Sequence, residues 1–352
     1  MNPTLTIDLE LVRANARTIS TRLRKTGIEL VGVTKAVDGE PAVGQALLEG
    51  GCAGLADSRL PAMTRLAARA LAPLTFIRAP QPDEVETVAQ VADRVLLSRP
   101  EIARGLGERA PGYPIEVLLT VDLGDRREGV LPEHAAAVAA ELAGLPHVSL
   151  AGVAVNFACL SGQLPSHELF ARAEEVLGAL ADSCATEPLL SIGGTCCLQY
   201  VDGYRPRFRT ELRCGVALFH GWDIVSASAI EGLEPRDPVL TATVLECYRK
   251  PPAPEGLLGR DAFGRKPDVR LPQEDAWYAL LYVGRRDCEP HGMRPLIEGA
   301  WIAGMTSDVA VLVAPEPLEA GDEVSFAVDY EALVRAVTSP FVTKRCIGAT
   351  TS

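Results

Sequence analysis

Short apolar runs alternate with longer amphipathic stretches along the first two thirds of the chain. The first run, at residues 28–33, is followed by a helical stretch that Pro41 opens and Gly50 and Gly51 close. Runs of this length bounded by turn residues predict buried strands. Eight such runs follow one another, at 28–33, 52–56, 74–77, 94–97, 115–121, 148–155, 189–192 and 209–213.

Strands that alternate with helices pair in parallel, because each helix carries the chain back to the starting edge of the sheet. Eight repeats of this unit predict a closed (β/α)8 barrel of the TIM type. An open doubly wound sheet is the alternative, but no glycine fingerprint follows the first strand.

The pattern changes after about residue 235. Apolar or alternating stretches at 239–248, 277–283, 300–305, 309–313 and 324–330 follow one another without intervening helices, which predicts a mainly antiparallel β domain. A long loop rich in Pro, Gly and Arg occupies residues 250–272. We therefore predict a barrel domain at 1–235 and a C-terminal β domain at 236–352.

Composition narrows the class of protein. The 352 residues are 47% hydrophobic and 23% charged, as in ordinary globular proteins, and the net charge of -12 argues against a nucleic-acid surface. No apolar stretch approaches the roughly 20 residues of a membrane span, and the N-terminus lacks the features of a signal peptide, so a cytoplasmic location is expected. The nine cysteines form no CxxC pair, which predicts reduced thiols. Cys288 and His291 alone fall short of a metal site, so no metal is predicted.

Active sites of such barrels lie at the C-terminal ends of the strands. The residues that follow the predicted strands are rich in polar groups, namely Lys35, Asp57, Ser58, Arg78, Asp122, Arg127, Asn156, Gly193, Gly194, Thr195, Arg213 and Gly215. A lysine in a partly desolvated pocket has an amine available to condense with an aldehyde, which suggests a Schiff base between Lys35 and pyridoxal phosphate. The alternative is a solvated lysine that begins a loop.

Two further groups at these strand ends suggest ligand contacts. Backbone N–H groups in the turn at Gly193, Gly194 and Thr195 suit a phosphate, although an ordinary tight turn has the same composition. One of the two arginines Arg126 and Arg127 suits a ligand oxygen while acidic neighbours neutralise the other, unless the segment is only a solvated charged loop. Arg213 is either a buried cation that needs a partner or an exposed strand end.

Seven segments in order resemble the motifs of the alanine/ornithine racemase family of fold-type III pyridoxal phosphate enzymes, with the closest similarity to the ornithine racemase branch. They are VTKAV (33–37), ADSR (56–59), VDLGDRREG (121–129), NFAC (156–159), LRCG (212–215), DAFG (261–264) and TSPFV (338–342). The resemblance implies an alanine racemase-like barrel with a C-terminal β domain, in a homodimer whose subunits share their active sites.

The same resemblance assigns roles around the cofactor, pyridoxal 5'-phosphate. It implies that Lys35 forms the Schiff base and acts as one acid/base group, and that Arg127 pairs with the phenolic oxygen. Asn156 is implied to lie against the ring and Arg213 to face the pyridine nitrogen. Phosphate contacts are implied for Gly193, Gly194, Thr195, Gly215 and Val216. The chain departs from its relatives at Cys196, Cys197 and Val216.

Racemisation needs a second acid/base group on the opposite face of the substrate. Alanine racemases use a tyrosine from the partner subunit, and no matching tyrosine is present. Asp261, Asp287 and Cys288 are candidates, each with a structural alternative. Asp261 can cap a turn, Asp287 can pair with a neighbouring arginine, and Cys288 can pack in the core.

The sequence therefore predicts a racemase that interconverts the L- and D-forms of ornithine or another polar amino acid by removing the α-proton. One alternative is a lyase or decarboxylase of the same fold, and another is a non-catalytic protein that binds pyridoxal phosphate.

Overall fold

The computed structural model describes residues 2–71, 73–110, 112–252, 254, 256–261, 263–264, 266–267 and 269–348. The chain divides into two compact units, one spanning Leu9–Arg236 and the other combining the residues up to Asp8 with those from Asp237 onward. The first strand, β1 (Thr4–Asp8), belongs to the second unit.

Eight strands close a barrel in the first unit. They are β2 (Ile28–Val33), β3 (Gly54–Asp57), β4 (Leu74–Phe76), β5 (Arg94–Leu97), β6 (Ile115–Thr120), β7 (Val148–Asn156), β8 (Leu189–Gly193) and β9 (Arg209–Cys214). Each strand pairs in parallel with the next, and β9 closes on β2. The predicted (β/α)8 barrel is confirmed, and its strands are buried because helices cover them.

The helices of this unit alternate with the strands. They are α1 (Leu9–Arg24), α2 (Pro41–Glu49), α3 (Leu60–Ala67), α4 (Val85–Val91), α5 (Pro100–Arg109), α6 (Pro132–Ala143), α7 (His167–Leu180) and α8 (Val216–His220), with 3₁₀ turns at Lys35–Val37, Ala181–Ser183 and Thr195–Gln199. Proline in the first turn starts four of them, α2, α3, α5 and α6, because its missing N–H would have no helical partner there. A two-stranded hairpin, β10 (Trp222–Asp223) and β11 (Ser228–Ala229), follows α8.

The second unit is mainly β, as predicted. Its later strands are β12 (Val239–Lys250), β13 (Ala276–Leu281), β14 (Met293–Pro295), β15 (Trp301–Met305), β16 (Ala310–Ala314), β17 (Glu323–Val328) and β18 (Thr343–Ile347). Six of them form a sheet in the order β14-β17-β12-β13-β16-β15, and β1 joins it by pairing with β12 and carries β18 on its other edge. A helix that the sequence did not predict, α9 (Tyr330–Thr338), follows β17, and the Asp329 carboxylate caps it by accepting from the N–H of Ala332.

The structure assigns the start of the chain differently from the sequence, which placed residues 1–8 with the barrel. β1 pairs in parallel with β18 and antiparallel with β12, so both of its edges bond to strands of the second unit. Long-range pairing of this kind leaves no mark on local sequence.

None of the helices in the described part of the chain combines the length and the apolar character needed to span a membrane.

Candidate active site

Strand register brings the predicted cofactor-binding residues together at the C-terminal end of the barrel, here called the rim. Asn156 lies opposite Gly193, and Gly193 lies opposite Arg213, on neighbouring strands β7, β8 and β9. Strand β9 pairs in turn with β2 as far as Gly32 and Cys214, so Lys35 follows on the next strand. The rim thus presents an amide, a glycine turn, a guanidinium and an amine in consecutive positions.

Lys35 is the first residue of the 3₁₀ turn that follows β2, and it is partly buried. The residue before it fixes this exit. Thr34 is buried, its N–H donates to the carbonyl of Ala56, and its Oγ1 donates to Asp57 Oδ2 at 2.6 Å. These two hydrogen bonds tie the end of β2 to the end of β3, so the backbone at Lys35 has a fixed direction.

Asp57 is the buried carboxylate beside this lysine. Burial raises the pKa of Asp57, and the hydrogen bonds from Thr34 and from the Arg59 N–H, together with the charge of Lys35, oppose that rise without cancelling it. The Ser58 N–H also donates to Asp57 Oδ1, at 2.7 Å. Asp57 is therefore a support for the Lys35 turn, with its oxygens used by protein groups.

Two other polar residues of the rim are used by the local structure. Arg78 forms a two-bond ion pair with Glu84, with N···O distances of 2.7 and 2.5 Å, and lies over the ring of Phe76. The carboxylate of Asp122 accepts from the N–H groups of Gly124 and Arg126 and so closes a turn. We therefore do not assign either side chain, Arg78 or Asp122, to contact a ligand.

Asp125 organises the loops around Arg127, although sequence analysis did not select it. Its buried carboxylate accepts at Oδ1 from the N–H groups of Cys159, Leu160 and Ser161 at 3.0–3.1 Å. Its Oδ2 lies 3.4 Å from Arg127 Nε. Burial alone would raise the pKa of Asp125, but these N–H donors outweigh burial and hold it below the usual value.

We expect Asp125→Asn to destabilise the protein by about 2 kcal/mol at neutral pH, since it weakens several charge-assisted hydrogen bonds. The folded-state pKa of Asp125 is lowered, so its stabilisation is fully present above the unfolded-state pKa and is lost as pH falls towards the folded-state value. The difference between variant and wild type should therefore shrink in acid. Urea unfolding at several pH values measures it, with the exposed Asp182→Asn as control. An equal loss at every pH would contradict this account.

Arg127 and Asn156 form a pair at the rim. With the Asn156 amide oxygen facing Arg127, that oxygen accepts from Arg127 Nη2 at 3.0 Å and from the Phe157 N–H at 3.2 Å. Arg127 also pairs with Glu128 at 3.0 Å. The guanidinium is partly exposed, so it keeps donors for a ligand while Asp125 and Asn156 fix its position.

Arg213 is the buried cation at the centre of the rim. Its Nη2 donates to the carbonyl of Val155 at 2.9 Å, and its Nη1 donates to Ser191 Oγ. Burial lowers the pKa of Arg213, yet a guanidinium starts so high that it stays charged. A side-chain carbon on Gly193 would collide with Arg213 and with the Asn156 amide, so only glycine leaves room here.

The turns after β8 and β9 supply backbone donors. Gly194, with φ of +114°, leads into the 3₁₀ turn Thr195–Gln199, and Gly215 leads into α8, which begins at Val216. N–H groups in the first turn of a helix have no acceptor within that helix. Thr195 Oγ1 lies 3.4 Å from Cys214 Sγ, which links the two turns. The arrangement suits an anionic group.

The three candidates for the second acid/base group all lie in the β unit. Asp287 is buried, and its oxygens accept from the Gly284 N–H and from Ser339 Oγ. Cys288 is fully buried, and burial raises the pKa of its thiol to about 12. Asp261 is partly exposed and accepts from the Phe263 N–H in a turn of the long loop.

Among the described residues, no cluster of three or more His, Cys, Asp or Glu side chains could hold a metal ion.

Comparison with known proteins assigns the family. Residues 7–221 match the model of the family described as alanine racemase, N-terminal domain. The chain belongs to this family. Lysine racemase of Thermotoga maritima is 30% identical over 97% of this chain and 98% of its own length. Ornithine racemase of Acetoanaerobium sticklandii is 28% identical over 99% of this chain and 100% of its own length.

A solved structure supports the same alanine racemase fold. The alanine racemase from E. faecalis superposes with a TM-score of 0.75 at 18% identity and covers 98% of both chains, a likeness that concerns the fold. Together these comparisons confirm the predicted family, the predicted fold and the predicted enzyme class, a racemase.

Proposed function

We propose that this member of the alanine racemase family is a pyridoxal phosphate-dependent racemase that interconverts the L- and D-forms of ornithine, lysine or another polar amino acid. The observation that carries the proposal is the run of Asn156, Gly193 and Arg213 on neighbouring strands, with Lys35 just after the end of the next strand, β2. Similarity along the whole chain to one lysine racemase and one ornithine racemase supports a diamino acid as substrate.

The rim residues fit pyridoxal phosphate, which carries an anionic phosphate, a phenolic oxygen, a ring nitrogen and an aldehyde. Lys35 would take the aldehyde and Arg127 the phenolic oxygen, with Asn156 against the ring. Arg213 would face the ring nitrogen, and the missing side chain at Gly193 leaves room for the Arg213 guanidinium and the Asn156 amide at this place. The N–H groups of the turns at 193–195 and 215–216 would hold the phosphate.

When bound, pyridoxal phosphate delocalises the electron pair that remains after the α-proton leaves. Lys35 Nζ would remove or return that proton on one face of the substrate. Arg213 retains its own protons, so it would donate a hydrogen bond to the ring nitrogen without protonating it. A ring nitrogen that stays unprotonated would favour return of the proton over side reactions.

The opposite face needs a second acid/base group, for which we propose Asp261. Asp287 is buried, with an exposed fraction of 7%, and its carboxylate accepts from the Gly284 N–H and from Ser339 Oγ. A thiol with the pKa of Cys288 exchanges protons poorly at neutral pH. Asp261 is the partly exposed candidate, and a carboxylate held in a turn has a defined direction.

The proposal includes a homodimer with shared active sites, as the family resemblance implies, and a cytoplasmic location. The latter is supported by buried, reduced thiols at Cys52, Cys196, Cys197, Cys214 and Cys288, which suit a reducing compartment.

Proton NMR in deuterated water tests the function. The purified, cofactor-loaded protein is incubated separately with the L- and D-forms of ornithine, lysine, arginine, serine and alanine. We expect α-proton exchange with appearance of the opposite enantiomer, fastest for ornithine or lysine. Release of ammonia, carbon dioxide or an aldehyde would instead indicate a lyase. Cofactor binding without exchange of any α-proton would indicate a carrier protein.

A further inference from the structure

A chain of buried polar groups lies beneath Arg213 inside the barrel. Arg213 Nη1 donates to Ser191 Oγ, and Ser191 Oγ in turn donates to Glu211 Oε1 at 2.5 Å. The exposed fractions of Arg213, Ser191 and Glu211 are 5%, 0% and 3%. Ser191 and Glu211 are opposite each other in the β8–β9 register, so the contact follows from strand pairing.

The chain continues away from the rim to Arg94. Arg94 Nη1 donates to Glu211 Oε2 at 3.0 Å, and its Nε and Nη2 donate to Glu116 Oε2 at 3.0 and 2.8 Å. Both oxygens of Glu211 are therefore engaged, one by Ser191 and one by Arg94. Glu211 is held between two cations and cannot swing away from Ser191 without losing an ion pair.

A buried guanidinium is costly unless negative charge lies nearby. The hydrogen-bond acceptors of Arg213 within the barrel are a hydroxyl and a carbonyl, both neutral. Glu211 is the carboxylate whose charge reaches Arg213 most strongly, and Ser191 joins the two. Because Ser191 gives its only proton to Glu211, it presents lone pairs to Arg213, which fixes the direction of that hydrogen bond.

We propose that Ser191 and Glu211 are positioning residues that set the orientation and the effective charge of Arg213 towards the cofactor ring. This inference rests on the proposed function, in which Arg213 faces the ring nitrogen. It assigns a role to two residues within the barrel that lie below the rim.

The test compares three variants, Ser191→Ala, Glu211→Gln and the double variant, with the matched control Glu116→Gln. Among the groups of this chain, the Glu116 carboxylate contacts Arg94 and no other member. Absorbance of the bound cofactor is titrated with pH in the absence of substrate, and the cofactor dissociation constant is measured by fluorescence. We expect each single variant to bind the cofactor at least about fivefold more weakly, since a directed hydrogen bond is lost.

We also expect the midpoint of the absorbance titration to move to lower pH, most strongly in Glu211→Gln. The other titratable groups whose charge acts on Arg213 are Glu128, Cys197 and Arg127. Without the Glu211 charge, Arg213 is less well compensated, and it disfavours a second positive charge on the nearby Schiff base more strongly. The double variant should be no worse than the poorer single variant, because both changes break one connection. Glu116→Gln should match wild type in both measurements.

Different results separate the inference from the proposed function. If wild type shows no visible absorbance that depends on Lys35, the proposed function fails. If wild type binds the cofactor but Ser191→Ala matches Glu116→Gln in titration and affinity, the positioning role is wrong. Circular dichroism confirms folding, and Ser191→Ala, which removes a single oxygen, decides the question if Glu211→Gln does not fold.

Discussion

Replacing Lys35 with alanine is expected to abolish both the visible absorbance of bound pyridoxal phosphate and α-proton exchange. In the proposed function the amine is the attachment point for the aldehyde and one of the two acid/base groups, so its loss would remove two contributions at once. Loss of a positioned acid/base group alone costs about 10²–10⁴-fold in rate, and loss of covalent attachment adds to it. Exchange should therefore fall below detection by NMR.

The matched control is Lys25→Ala, which deletes the same ammonium from an exposed position near the end of α1. Borohydride reduction of wild type, followed by peptide mass analysis, should place the cofactor on the peptide that contains Lys35. Attachment to another lysine, or undiminished exchange in Lys35→Ala, would rule out the assigned role. Thermal unfolding without cofactor should differ little between the two variants, because the Lys35 side chain is on the rim.

The barrel could be predicted because its signal is local. Each strand is an apolar run of a few residues, and several helices have proline or a capping residue at their start, as at Pro41 and Ser166. The 3₁₀ turn Thr195–Gln199 and the short helix α8 could not be predicted, since five residues are too few to show helical periodicity. The pairing of β1 with β12 and β18 is a long-range property that only the fold reveals.

The rim residues could be predicted by position, because the end of a strand fixes where its next side chain lies. The role of Asp125 could not be predicted, because the three N–H groups that donate to its carboxylate lie more than 30 residues away in the chain. Ser191 and Glu211 stand within predicted strands, where a glutamate between Thr210 and Leu212 was the available signal. Their connection to Arg213 depends on register, which a single sequence does not specify.

The second acid/base group shows how structure refines a choice that chemistry leaves open. Asp261, Asp287 and Cys288 are chemically capable of moving protons, and sequence alone gave no order among them. Asp287 and the Cys288 thiol are buried, whereas Asp261 is partly exposed, and this difference favours Asp261.

Replacing Asp261 with asparagine is expected to reduce interconversion of enantiomers by about 10²–10⁴-fold, the contribution of a positioned acid/base group. Lys35 would still serve its own face. One enantiomer should therefore continue to exchange its α-proton with deuterated water while keeping its configuration, and the other should become inert. NMR for exchange and chiral chromatography for configuration, started separately from each enantiomer, measure both effects.

Cys288→Ala serves as the control, because it removes a thiol whose Sγ donates to the carbonyl of Ala332 in the core. It should keep interconversion near the wild-type rate while lowering stability by about 1 kcal/mol through the small cavity. The assignment would be wrong if Asp261→Asn racemised normally, or if Cys288→Ala showed one-sided exchange. Asp287→Asn should chiefly lower stability, since its carboxylate holds the turn at Gly284, so one-sided exchange in that variant would move the role to Asp287.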